Sequence, residues 1–378
     1  MNYEVSQEQQ ILKDAARTFF SKECPLSSVR EMAGDARGYS PELWRKMADL
    51  GWLGLLIPEK YGGCEGSFLD LAVLMYEMGY GCSPGPFFAS SVLGTLTVLE
   101  AGGEERKKTL LPGVASGDGI LTLAWTEESG SYAPQGISLA AEPQGNEFVL
   151  SGTKLFVPYA HAADTLICAA RTQDFPKDAR AGISLFVLDA KGQGVAVHTL
   201  DTMAGDQQCE VNLDRVKVSR ENLLGELHQG WPVLERVLLK AAVAKCAEMS
   251  GGAQKVLDLV IPHAKERVQF DRPIGSFQAV QHHCANILTY VDTVRFMTHQ
   301  AAWKISQGLP FEKEAAMCKA WVSDSYRRLV ALGHQVMGGM GFMEEHDLPL
   351  YFVRAKAAEL AMGAADFHRE LVAQHMGL

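Results

Sequence analysis

Between Arg267 and Gln278 the chain reads Arg-Val-Gln-Phe-Asp-Arg-Pro-Ile-Gly-Ser-Phe-Gln. The guanidinium of Arg267, the ring of Phe270 and the carboxamide of Gln278 offer a charge for phosphate, a stacking surface and a hydrogen-bonding edge. That inventory suits a dinucleotide. It also suits a plain interhelical turn with an aromatic anchor and a surface arginine, and the stretch by itself leaves both open. Its flanks show how it is held. Apolar residues recur before it at Val233, Val237, Ala241 and Ala244, then at Val256, Leu259 and Val260. After it, Val280, Cys284, Ile287, Val291, Val294 and Ala301 keep the 4-3 rhythm of a helix with one buried stripe. Asp271, Pro273 and Gly275 interrupt that rhythm, so the stretch is predicted as a bend between two long helices.

The rest of the chain supplies the frame. Its 378 residues suffice for two or three subdomains with substantial cores. A net charge of -10 argues against general nucleic-acid binding and obliges any anionic ligand to find a local cationic patch. Eight cysteines without Cys-x-x-Cys spacing predict buried free thiols in a reducing compartment, with no metal framework. The start MNYEVSQEQQ is neither a signal peptide nor a basic transit segment, and no apolar run is long enough to span a bilayer, so the expected location is cytoplasmic. From Ser6 to about Gly119 the pattern is helical. Ser6 and Gln9 form a capping box, Pro41 opens a second helix, and Phe68 to Met78 form another with Leu69, Ala72, Val73 and Tyr76 as its apolar side. An irregular turn from Gly79 to Ala89 precedes a helix from Ser90 to about Ala101. From Ile120 short apolar runs bounded by Gly, Asn, Asp and Pro predict a small, mostly antiparallel barrel, with a hairpin turn at Gln144-Gly145-Asn146. From Trp231 the pattern is helical to the end, and such helices pack as a bundle.

The order Arg-x-x-Phe-x-x-Pro-Ile-x-x-Phe-Gln over residues 267–278 resembles the FAD-binding turn of the acyl-CoA dehydrogenase family. Thr126-Glu127, Ser151-Gly152-Thr153-Lys154, the run VKVSRENLLG ending at Gly225, and Gln335-Val336-Met337-Gly338-Gly339-Met340-Gly341-Phe342 resemble further family motifs, in one order over almost the whole chain. The resemblance implies an N-terminal all-α domain (1–119), a middle antiparallel β-barrel (120–227) and a C-terminal four-helix bundle (228–378). It implies FAD lying across a subunit boundary, with Arg267 on the pyrophosphate and Phe270 and Gln278 reaching the FAD of a neighbouring chain. Gln335, Gly338 and Gly339 would form the adenine-side cradle. Trp125, Thr126 and Ser131 would edge the isoalloxazine, while Phe156 and Pro158 stand at the family's tryptophan and threonine places. Phe87 and Phe88 would shape the acyl cavity. The implied reaction is α,β-desaturation of an acyl-CoA, with electrons passed to an electron-transfer flavoprotein, by a homodimer, a homotetramer or a hetero-oligomer.

Several positions depart from the family pattern. Glu128 replaces a proline, Tyr132 an aspartate, and Pro158 offers neither hydroxyl nor N–H to a flavin. The glutamate that removes the α-proton would fall on Met362, before Gly363, and the alternative base position and its arginine neighbour near Ala241 and Ala242. None of these side chains accepts a proton at a useful pKa. The base is then expected either at Asp366 or Glu359, about one helical turn from Met362, or on a sister subunit. Tyr159 and His161 are weaker candidates. Two other outcomes are open: a flavin monooxygenase of the same fold, which needs no α-proton abstraction, and a catalytically silent FAD-binding subunit.

Overall fold

A computed structural model describes residues 6–173 and 178–378. In chain order the first helices are α1 (Gln7–Glu23), α2 (Leu26–Ala33), α3 (Pro41–Asp49), α4 (Phe68–Tyr80), α5 (Thr95–Ala101) and α6 (Glu104–Ser116). Strands β1 (Leu121–Ala124), β2 (Ala140–Gln144), β3 (Glu147–Pro158), β4 (Thr165–Arg171), β5 (Ile183–Asp189), β6 (Val195–Leu200), β7 (Gln208–Ser219) and β8 (Leu223–Leu224) follow. Then come α7 (Gly230–Glu266), a short hairpin of β9 (Val268–Gln269) and β10 (Arg272–Pro273), α8 (Gln278–Ser306), α9 (Glu312–Met337), α10 (Leu348–Leu360) and α11 (Ala365–His375). By their contacts these elements group into two compact units. One holds the chain up to Glu31, Ser67–Ser83 and Leu239–Leu378; the other holds Met32–Gly66 and Pro84–Leu238.

The first unit is helical, and its helices start where local chemistry starts them. Ser6 Oγ accepts from the Gln9 N–H at 3.2 Å while Gln9 Oε1 accepts from the Ser6 N–H at 3.0 Å, the predicted capping box. Ser67 and Asp70 build a second one at the head of α4. On α8 the predicted stripe is buried at Ile287, Val291, Val294 and Ala301, but Val280 and Cys284 stay half-buried. On α9 the expected stripe is buried at Ala315, Cys318, Val322, Leu329 and Val336, while Leu332 is half-buried. α4 departs from expectation. Phe68, Leu71, Leu74, Met75 and Met78 are its buried apolar side chains, whereas Leu69, Ala72, Val73 and Tyr76 are only half-buried. The helix is apolar on nearly every side, so periodicity alone did not choose the face. It passes α7 very closely. A Cβ at Gly79 would lie 1.8 Å from Glu248 O, and one at Gly251 would lie 1.8 Å from Tyr76 O.

The second unit is built on an eight-stranded sheet in the order β6-β7-β3-β2-β4-β5-β8, with β1 beside β4. The expected hairpin is present, Gln144 pairing with Glu147 across Gly145-Asn146. Most ladders are antiparallel as predicted. The pairing of β1 with β4 is parallel, because the chain reaches β4 only after the β2–β3 hairpin. β4 and β5 are buried on both faces through Leu166–Ala170 and Ile183–Leu188, which is why they read as continuous apolar runs. The helix expected from Ser90 begins earlier, as a π-helical segment Phe88–Gly94, before α5. Among the described residues no helix is long and apolar enough to cross a membrane.

Candidate functional site

In the second unit the loop after β1 is bound to β3. The Leu155 N–H donates to Thr126 O at 2.8 Å. Lys154, fully buried, donates through Nζ to Glu127 Oε1 at 2.6 Å. Glu127 also accepts from the Ser138 and Leu139 N–H groups. Burial would raise its carboxyl, but the charge and hydrogen bond of Lys154 outweigh burial and hold it below the usual carboxylate range. This buried pair fixes the residues expected to edge a flavin. Thr126 is buried, and Ser131 Oγ accepts from the Ala133 N–H at 3.2 Å. The indole N–H of Trp125 is buried with no acceptor among the described residues, an orphan donor that a bound ligand would satisfy. Between Lys154 and Val157 the β3–β7 register shifts. At that irregularity Phe156 takes φ +54° and leaves its ring 53% exposed.

Pro158 ends β3, its carbonyl accepting from Thr122 Oγ1 at 2.6 Å. Tyr159 and His161 are both engaged. The Tyr159 hydroxyl accepts from the Gly85 N–H at 2.8 Å and donates to Gly38 O at 3.1 Å. His161 bonds Arg37 O through Nε2 at 3.1 Å and meets Cys209 Sγ through Nδ1 at 3.6 Å. Phe87 is buried and Phe88 half-buried, at the head of the π-helical segment.

In the first unit the expected bend is a two-residue hairpin. Gln269 pairs with Arg272 and Val268 with Pro273, leaving Phe270 and Asp271 at φ +54° and +63°. Two successive left-handed residues without glycine store backbone strain, a feature that concentrates at binding sites. Phe270 is 85% exposed and meets Phe277 edge-on at 5.9 Å, while the Arg272 guanidinium lies 4.1 Å over the Phe277 ring. Arg267 is exposed and pairs with no carboxylate among the described residues. Gln278, Gln335, Gly338 and Gly339 are exposed as well. Gly338 sits at φ +60°, ψ -143°, a conformation available to glycine almost alone, and Cβ atoms at Gly338 or Gly339 would meet open space. An unpaired guanidinium, an outward ring and an open glycine pair fit the phosphates and base of FAD.

The bend between α10 and α11 carries Met362, where the sequence resemblance placed the base. Met362 is buried at φ +59°. Its carbonyl accepts from His368 Nε2–H at 2.8 Å. The fully buried Lys319 donates from Nζ to Ala358 O, Glu359 O and Gly363 O, each at 3.0 Å, and to Ser323 Oγ at 2.9 Å. It thereby caps the carbonyl end of α10. Burial pulls its ammonium down to about 8, so it remains mostly charged at neutral pH and holds no lone pair for a proton. Asp366 is 96% exposed and bonds Arg369 Nη1 at 2.6 Å. Glu359 pairs with Lys356 at 3.0 Å and Arg327 at 3.6 Å. Ala241 and Ala242 are fully buried. Both candidate carboxylates near Met362 are thus engaged by cations. Sequence reading missed Lys319 and His368; a lysine beside the buried stripe at Cys318 was the available signal.

Sequence profiles of the acyl-CoA dehydrogenase N-terminal, middle and C-terminal domains match residues 6–118, 122–216 and 228–377. The probable acyl-CoA dehydrogenase YngJ of Bacillus subtilis is 32% identical over the whole of both chains. The structure of butyryl-CoA dehydrogenase from Megasphaera elsdenii superposes with a TM-score of 0.93 at 25% identity, covering 100% of each chain. A chain in the ChsE4-ChsE5 complex of Mycobacterium tuberculosis gives 0.91 at 27%, covering 100% of this chain and 99% of that one.

Proposed function

Because the chain belongs to the acyl-CoA dehydrogenase family, as an FAD-dependent oxidoreductase acting on CH–CH groups, we propose that it desaturates an acyl-CoA thioester with a proton acceptor supplied by a partner chain. The observation that carries this reading is Met362, a buried thioether where the family's carboxylate would stand. A thioether accepts no proton in water's pH range, and Asp366 and Glu359 spend their charge on Arg369, Lys356 and Arg327. Bound FAD supplies the hydride acceptor, at flavin N5, for the β-hydrogen. This chain's own residues bind and orient. Arg267 meets the pyrophosphate, Phe270 and Gln278 reach the cofactor of a neighbouring chain, and Gln335, Gly338 and Gly339 take the adenine side. Trp125, Thr126, Ser131 and Phe156 edge the ring system, with Pro158 withholding the usual donor. Phe87 and Phe88 limit the acyl end. The α-proton leaves to a carboxylate on a sister subunit, and the electrons pass to an electron-transfer flavoprotein in the cytoplasm. The likeness to a chain that crystallised in a two-protein complex supports a hetero-oligomer over a homodimer or homotetramer.

Anaerobic mixing with a panel of acyl-CoAs tests this. The flavin-loaded chain alone is expected to keep its visible absorbance, and Met362→Glu, or a co-expressed sister chain, to bleach it. Bleaching by the unaltered chain alone overturns the partner-supplied base, and its loss in Asp366→Asn or Glu359→Gln then identifies the displaced one. A yellow protein that no variant or partner bleaches is a silent FAD-binding subunit. Oxygen consumption by the reduced form marks a monooxygenase.

A further inference from the structure

The half-buried apolar row on α4 faces a cavity of about 580 Å³ that none of the residues assigned above touches. Leu69, Ala72, Val73 and Tyr76 stand at helical spacings of 3, 1 and 3, so they form one face. α4 already buries its other face through Leu71, Leu74, Met75 and Met78. A helix apolar on both sides is normally covered on both sides. This one has packing on one and open volume on the other.

The floor lies on α7 and α8, and its two hydroxyls are satisfied. Ser250 Oγ donates to Cys246 O at 2.7 Å, Thr298 Oγ1 donates to Val294 O at 2.8 Å, and the two hydroxyls share a 3.2 Å contact. No buried hydroxyl there calls for a polar ligand. The charged groups stand at the rim, and both are cations. Lys13 of α1 lies 5.6 Å over the Tyr76 ring and has no carboxylate within ion-pair distance among the described residues. Arg295 of α8 is exposed and gives one bond to Asp292, at 3.0 Å. No aspartate or glutamate lines the cavity, in a chain whose net charge is -10. The Tyr76 hydroxyl stays protonated, burial raising its pKa, and remains a hydrogen-bond donor.

We propose that this cavity binds a free fatty carboxylate, with its hydrocarbon tail against the α4 face and its headgroup at Lys13 and Arg295. The volume lies within the range of small-molecule pockets. A CoA thioester is the poorer match, because its nucleotide carries several phosphates and the rim has two cations. The site is separate from the flavin and base residues and stands whether or not the proposed reaction does.

The test uses purified flavin-loaded protein and dansyl-labelled undecanoate as a fluorescent probe. Dodecanoate is expected to displace the probe, dodecanol to do so roughly tenfold less well for want of a charge, and excess butyryl-CoA not at all. Val73→Trp, which fills the cavity, is expected to abolish probe binding. Lys13→Glu, at the rim, is expected to weaken it roughly tenfold or more, with FAD content and flavin spectrum unchanged. The rim variant keeps the test sound should the tryptophan disturb folding. Displacement by butyryl-CoA, no probe binding, or unchanged binding in Lys13→Glu overturns the proposal. So does a Val73→Trp protein that loses subunits in sedimentation while the unaltered protein excludes the probe, since a second copy of the chain would then be the occupant.

Discussion

A buried imidazole holds the backbone of the bend that carries Met362. His368 donates from Nε2 to Met362 O, and its Nδ1 is buried without a partner among the described residues. Burial pulls its pKa from the ordinary 6.5 down to about 4; Lys319 pushes the same way, and the Met362 carbonyl opposes both. The unfolded chain therefore takes up this proton first. The contribution to stability is complete above about pH 6.5 and is lost as pH falls toward 4, a total of roughly 3 kcal/mol. Thermal melts between pH 7.5 and pH 4.5, where this proton is taken up, should show a melting temperature falling with acid more steeply for the wild type than for His368→Gln, which keeps a donor but no titration. Equal slopes would reject the assignment. Neither His368 nor Lys319 was legible in the sequence as part of the bend. The carbonyls that receive Lys319 lie 39 to 44 residues further along, and only the packed fold brings them to it. The expectation at Met362 rested instead on local sequence alone, the glycine after it and the motif before it.

At the scale of elements, caps and stripes were readable because their causes are local. Ser6 and Gln9 are three residues apart, and the α8 stripe repeats every turn. The open face of α4 and the π-helical segment at Phe88–Gly94 were not, since each depends on what another element leaves uncovered. The crossing of α4 and α7 makes the same point with opposite signs for one substitution. Gly251 lies in the middle of α7, where alanine has the better intrinsic helix propensity. An added methyl would nevertheless meet Tyr76 O at 1.8 Å, so the helices must separate, at a cost of roughly 1–3 kcal/mol. Gly113 is also helical, in α6, and its nearest neighbour would be an ordinary 3.8 Å away. Gly113→Ala should raise the urea midpoint by the equivalent of about 0.5–1 kcal/mol, and Gly251→Ala should lower it. If both shift the same way, the close approach read from the crossing is wrong.

For the whole molecule, the order of the motifs along the chain was enough to give the fold class, while completeness of the site depends on surfaces that one chain leaves bare. Arg267, the strained hairpin tip at Phe270, Gln278 and the glycine pair are all exposed, and neither Arg267 nor Gln278 has a side-chain hydrogen-bond or ion-pair partner among the described residues. An outward guanidinium with no carboxylate partner among the described residues suits pyrophosphate. If these groups hold the FAD of a neighbouring chain, flavin retention must depend on association, as it would for any ligand bound only by the assembled form. Serial dilution followed by rapid desalting should then release flavin over the same concentration range in which sedimentation shows chains separating. Arg267→Ala should weaken FAD by roughly ten- to a hundredfold, the loss of a charge-assisted bond, without changing the concentration at which flavin-free chains separate. Raised salt should reduce retention by the wild type and have less effect on the variant, because screening acts on the charge that the variant lacks. Flavin that stays bound to dissociated single chains, or is indifferent to Arg267, would place the cofactor wholly within one chain and leave the outward hairpin without a ligand.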